Sequence, residues 1–186
     1  ALWAVATPAP NLVVTGDGRH LAVRPGDGRM AILRDRTGDY TRGLLPEAAG
    51  SDDEPLLLSD QAEAKCSRDL CVTRAGRWTV LATRSPYLVD ATALIAACAR
   101  VDIVVSERRL PRNCRPRWLR LDRQMLARTG GVAVSAAGVR TVARPGDRPP
   151  WRDPATVTPI RSSPASRPSA GGASGTGAAG PRYSGS

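Results

Sequence analysis

The residues in this chain best suited to chemistry are cations. Arg108, Arg109, Arg112, Arg115 and Arg117 crowd into one stretch that ends at Trp118. A guanidinium is a planar fork of N–H donors that can meet phosphate oxygens two at a time, and an indole beside it offers a face on which a base can stack. Aromatic residues are otherwise scarce, at 4% of the chain. With about three to five phosphate contacts, such a loop binds weakly and with steep salt dependence. The same residues also read as a solvated loop held by a Cys98–Cys114 bridge, with Trp118 in the core. Both readings stand on sequence alone.

Other chemistries find fewer parts. A metallohydrolase gathers several imidazoles and carboxylates on a metal, whereas His20 is the single histidine and no HxH or HxHxDH run occurs. His20 lies at the start of a strand beside a turn, a place for a surface or packing residue rather than a ligand. Ser106 follows an apolar strand, where nucleophiles are often found, but His20 is the one base that could serve it. Gly16, Gly18, Gly26 and Gly28 fall in hairpin turns and precede no helix, so they lack the setting of a phosphate-cradling loop and are expected to supply positive φ. Asp52, Asp53 and Glu54 are consecutive and read as a solvated acidic loop. No catalytic residue, metal ligand or cofactor is expected.

The formal charge is +10, and arginine carries it, since Lys65 is the only lysine. A basic surface attracts phosphate polymers or acidic lipid headgroups; a GC-rich coding bias toward Ala, Arg, Gly and Pro is a second source of the same composition. The cysteines are Cys66, Cys71, Cys98 and Cys114. Their even number in a small basic domain suggests disulfides Cys66–Cys71 and Cys98–Cys114, one of three possible connectivities. Each bridge would contribute about 2–3 kcal/mol. The spacings match no common zinc ribbon or finger, and reduced buried thiols remain open as an alternative. If the bridges form, the compartment is oxidising, such as a periplasm.

These groups must be positioned by short elements. The 186 residues, 41% hydrophobic, support one modest core. No apolar run of membrane-spanning length occurs. Strands are expected at Leu12–Thr15, His20–Arg24 and Met30–Leu33, a meander punctuated by Gly16-Asp-Gly18 and Pro25-Gly-Asp-Gly28. Tyr40–Ala49 reads as a helix with Asp39 as N-cap, Gly50 beyond its end and Pro46 weakening its second half. Ser51–Ala64 is acidic and reads as an irregular loop. A hairpin follows, Asp69–Thr73 and Trp78–Ala82, turning at Arg74-Ala-Gly-Arg77. Leu88–Arg100 has apolar residues at helical spacing and Asp90 as N-cap, and leads into the continuous apolar strand Asp102–Ser106. The prolines Pro111 and Pro116 keep Glu107–Arg117 irregular. Trp118–Asp122 alternates as a strand, Arg123–Arg128 makes a short helix stopped at Gly130-Gly131, and Gly131–Ser135 with Val139–Ala143 forms a last hairpin. The fold class is therefore α+β: a mixed sheet of short hairpin strands with two or three short helices. From Arg152 the composition of Pro, Ser, Gly, Ala and Arg offers no core, so residues 152–186 are expected to be a disordered tail.

Pro10-Asn-Leu-Val-Val-Thr-Gly-Asp-Gly-Arg19, the Cys66-Ser-Arg-Asp-Leu-Cys71 pair, Val101-Asp-Ile-Val-Val-Ser106 and Leu110-Pro-Arg-Asn-Cys-Arg-Pro-Arg-Trp-Leu119, followed by Asp122 and Arg128-Thr-Gly-Gly131, resemble the C-terminal soluble region of ComEC-type DNA-internalisation proteins, the polytopic membrane channels of bacterial competence. The likeness covers roughly Ala1 to Trp151. It implies a metallo-β-lactamase-like domain over residues 11–151, degenerate here because the family's histidine and aspartate ligands are missing. Residues 1–10, with the apolar Ala1–Ala6 and Trp3, would then be the end of an upstream membrane segment. The function implied is non-catalytic: assisting transforming single-stranded DNA across the inner membrane from its periplasmic side, with single-stranded DNA, the channel portion of the same parent protein and other competence proteins as partners. A purely structural domain that assembles the channel, or a nuclease, are the alternatives.

Overall fold

The computed structural model describes residues 8–25, 28–34, 39–85, 87, 89–143 and 146–147, with backbone alone for 39–42. The chain divides into two units, Ala1–Asp147 and Arg148–Ser186, and every described element belongs to the first. The apolar Ala1–Ala6, Gly26, Leu88 and the tail expected from Arg152 lie outside the described residues.

The Asp-Gly turns produce the expected meander. β1 (Leu12–Val14), β2 (Leu21–Val23) and β3 (Ala31–Ile32) pair antiparallel, with Leu12 opposite Val23 and Ala22 opposite Ile32. On the other flank of β1 lies β10 (Val132–Ser135), followed by β11 (Gly138–Thr141). The first sheet is completed by β4 (Leu56–Leu57), parallel to β3. Ser51–Ala64 is therefore not wholly irregular, as it also carries a 3-10 turn over Leu58–Asp60. The run Leu56-Leu-Leu58 supplies the reason: Leu58 is fully buried, and that burial outweighs the acidic flanks that disguise the segment.

The second sheet runs β5 (Lys65–Cys66), β6 (Leu70–Ala75), β7 (Trp78–Thr83), β8 (Ile103–Val105) and β9 (Leu119–Leu121). β5, β6 and β7 are antiparallel neighbours, whereas β7, β8 and β9 are parallel. Parallel strands need crossovers. α2 (Ala91–Cys98) makes the first, its start fixed by the Asp90 carboxylate, which accepts the Ala93 N–H at 2.8 Å. The arginine loop alone makes the second.

Strand alternation places Leu12, Val14, Leu21 and Val23 of one sheet against Val80, Ala82, Ile103, Val105 and Leu121 of the other in a shared core. The outer face of the first sheet is covered by α1 (Asp39–Ala48) through Leu45, against Val13, Ala22 and Ile32. α2 covers the outer face of the second through Leu94 and Cys98, against Leu81 and Val104. The result is a mixed α+β fold in four layers, helix, sheet, sheet and helix, with the strands divided between two mixed sheets. A third helix, α3 (Arg123–Thr129), sends Leu126 into the shared core. α1 takes in Asp39 and runs through Pro46. Burial of Leu45 and Ala49 holds the turn that the proline weakens, and Gly50, at φ +67°, closes it.

Candidate functional site

β7, β8 and β9 run parallel, so their carboxyl ends share one edge, where three buried polar residues stand: Thr83 at the end of β7, and Ser106 and Asp122 directly after β8 and β9. In open α/β sheets that edge is where ligands are held. The Thr83 hydroxyl donates to Ser106 Oγ at 3.2 Å, and the Arg108 N–H donates to the same oxygen at 3.1 Å. Ser85, also buried, accepts the Tyr87 N–H at 2.9 Å.

The first sheet reaches this edge through the turn after β1. Gly18 has φ +70°, and a Cβ there would stand 2.7 Å from the Ser106 carbonyl oxygen, so the turn closes on β8 only with glycine. Gly16 does not have the positive φ expected of it. Its Cβ would lie 3.3 Å from the Gly130 and Gly131 backbone, so the residue permits two turns to approach closely. Glu107 joins the sheets, with Arg19 Nε at 3.2 Å and Arg34 at 3.1 Å from its carboxylate. Burial raises the Asp17 carboxyl, but hydrogen bonds from the Thr15 hydroxyl and the Arg19 N–H, with the nearby His20 and Arg19 charges, hold it below its ordinary value. Burial lowers His20, aided by Arg34 and Arg19 and opposed by Asp17 and Glu107. His20 is a half-buried packing residue beside this ion pair. No group of three or more His, Cys, Asp or Glu able to hold a metal occurs among the described residues.

The arginine loop is organised from beneath by a residue the sequence reading did not single out. Arg120 donates to Asp122 from Nε (3.0 Å) and Nη2 (2.6 Å), and to the carbonyls of Leu110 (2.7 Å), Pro111 (3.0 Å) and Cys114 (3.4 Å). Asp122 also accepts the N–H groups of Leu110 and Met125, the latter capping α3. Burial pushes the Asp122 carboxyl up, yet Arg120 and these N–H donors bring it below its ordinary value. The signal was present: in Leu119-Arg-Leu121 the period of two aims Arg120 away from the core leucines and under the loop.

Both expected disulfides form. Cys66 and Cys71 are cross-strand partners of β5 and β6 with Cα atoms 4.0 Å apart, and Cys98–Cys114, at 5.3 Å, staples the loop to the end of α2. No free cysteine remains. The loop's cations divide between two edges. Arg108 and Arg109 stand exposed at the carboxyl ends of the parallel strands, where Arg109 donates to Gln124 at 3.0 Å. Arg112 and Arg115 are exposed on either side of the buried Cys114. Arg117 and Trp118 stand at the amino ends, with Arg117 3.8 Å from Asp102. Trp118 is not in the core: it is 45% exposed and stacks on Trp78 at 4.9 Å between ring centroids, while Arg77 lies over the Trp78 ring.

No family model, curated protein or solved structure matches this chain. Among the described residues no helix is long and apolar enough to cross a membrane.

Proposed function

We propose that this domain is a non-catalytic module of a ComEC-type DNA-internalisation protein, held to the inner membrane on its periplasmic side, where its arginine loop contacts single-stranded DNA during uptake. One observation carries this reading. Arg108, Arg112 and Arg115 are exposed without an acidic partner among the described residues, on a loop stapled by Cys98–Cys114 and pinned by Arg120. Cations held on a stiff loop lose little conformational freedom when a phosphate arrives. Their division between two edges, with a half-exposed indole at the far one, suits an extended polymer better than a single small ion. The layering of two packed mixed sheets with helices outside supports the metallo-β-lactamase likeness of the architecture, and His20 alone gives no support to metal-dependent cleavage.

A second reading, that the domain packs on the channel portion of the same parent protein, is favoured by an open groove of about 800 Å³ between α1 and the outer face of β1 and β10. Its lining is largely apolar, with Val13, Leu44, Ala133 and Val142.

The test is fluorescence anisotropy with labelled single-stranded DNA at low salt. The protein should bind with a log–log salt slope of about −2 to −3.5, as expected for three to five phosphates on a single strand. Changing Arg108, Arg109, Arg112, Arg115 and Arg117 together to Ser should weaken binding at least tenfold and flatten that slope. Unchanged affinity overturns the nucleic-acid role and leaves the structural one.

A further inference from the structure

Beside the carboxyl ends of β7 and β8, on the α2 side of the second sheet, lies a cavity of about 280 Å³. Its polar lining includes Thr83, Ser85, Ser106, Arg108 and Arg109, and among the described residues no carboxylate lines it. A hydroxyl has one proton to give and two lone pairs to fill. Thr83 and Ser106 share a single hydrogen bond, so whichever of them donates, one proton of the pair is left over. Ser106 Oγ also receives the Arg108 N–H, which leaves its own proton as the group still to be satisfied. Ser85 Oγ receives the Tyr87 N–H, and its proton has no acceptor among the described residues. The Arg108 guanidinium likewise has no side-chain partner there, because Glu107 is already held by Arg19 and Arg34. Thr83, Ser85 and Ser106 are each more than nine-tenths buried, where unmet donors are costly unless something accepts from them.

A cavity furnished with unmet donors and no carboxylate is built for an anion. A carboxylate ligand offers two oxygens to this set; a phosphate monoester offers three with a double charge and can meet two hydroxyls and a guanidinium fork together. The rest of the lining, with Val89, Leu94, Leu110 and the ring of Tyr87, is apolar apart from the Tyr87 hydroxyl and suits a compact ring. We infer that this cavity binds a phosphate monoester with one compact organic group, in this setting the 5′-phosphorylated terminal nucleotide of a single strand. The anion follows from the cavity's own donors, and the nucleotide identity rests on the DNA-contact reading above.

The experiment is isothermal titration of the whole chain with thymidine 5′-monophosphate, thymidine and inorganic phosphate. The monophosphate should bind at least tenfold more tightly than either fragment, and Ser85→Ala, which removes a hydroxyl not shared with Thr83, should weaken it several-fold, as should Ser106→Ala. Arg74→Ser, on the exposed face of β6 and outside the cavity, should leave it unchanged. No heat or chemical-shift change with the monophosphate at millimolar concentration overturns the site, even if long single strands bind through the outer arginines. Equal binding of inorganic phosphate overturns the organic subsite. Monophosphate binding without any affinity for single-stranded DNA keeps the cavity and removes the polymer reading. A 5′-phosphorylated oligonucleotide that binds no better than its 5′-hydroxyl counterpart removes the strand end as the ligand.

Discussion

The two ends of the parallel strands β7, β8 and β9 are made from similar residues and reach opposite electrostatic outcomes. At the amino ends the groups satisfy one another. Asp102 accepts the Thr79 N–H at 2.8 Å and faces Arg117, Trp118 stacks on Trp78, and Arg77 covers that ring. At the carboxyl ends Glu107 is already engaged by Arg19 and Arg34, and Asp122 by Arg120. Among the described residues the outward Arg108 and Arg109 there form no ion pair. Whether an arginine is available to a ligand is decided less by how many arginines are nearby than by whether the local carboxylates have been claimed from below.

The largest break in this contrast should come from Arg120→Met. It leaves the buried Asp122 carboxylate and the Leu110 carbonyl without their charged donor, so unfolding stability should fall by about 3 kcal/mol, read from the denaturant midpoint. If stability holds, the loop is not pinned from beneath. Cys98→Ser with Cys114→Ser comes next, at about 2–3 kcal/mol for a loop of this length. The same variant should raise proteolysis of the arginine loop and leave the Trp78–Trp118 end unaffected, which near-ultraviolet dichroism would report.

Acid should distinguish the ends more gently. The Asp122 carboxyl lies below 3.8 in the fold, so its contribution is complete above that pH and is lost as pH falls through its lower folded value. Asp122→Asn should remove this part of the acid limb. His20 lies below its ordinary 6.5, so the unfolded chain takes up the proton more readily and stability declines as pH drops beneath that value. His20→Gln should flatten the slope that begins there, and an unchanged slope would show that folding does not lower this imidazole. The smallest effects belong to the amino end. Trp118→Ala should cost about 1 kcal/mol through lost stacking, and Arg117→Ser less than about 0.5 kcal/mol, because its partner is distant and the pair is exposed. A larger loss from Arg117→Ser would mean that this end, too, depends on its charge.

The sequence by itself determined what is local. Asp-Gly turns set the meander, Asp90 starts α2, Gly50 and Gly130 end α1 and α3, and the cysteine spacing led to the two bridges. Each of these is a contact or a dihedral within a few residues, or a pairing with few competitors. Tertiary structure alone decided that the strands form two sheets, that Leu56–Leu57 adds an edge to one of them, and that one arginine loop is shared between opposite edges. The sequence also placed Trp118 beside the arginines while leaving open whether it was buried, and only its stacking on Trp78 resolved that. The physical reason is range: periodicity and capping act along the chain, whereas the partner of a strand or the owner of a carboxylate such as Glu107 is chosen among residues that only folding brings together.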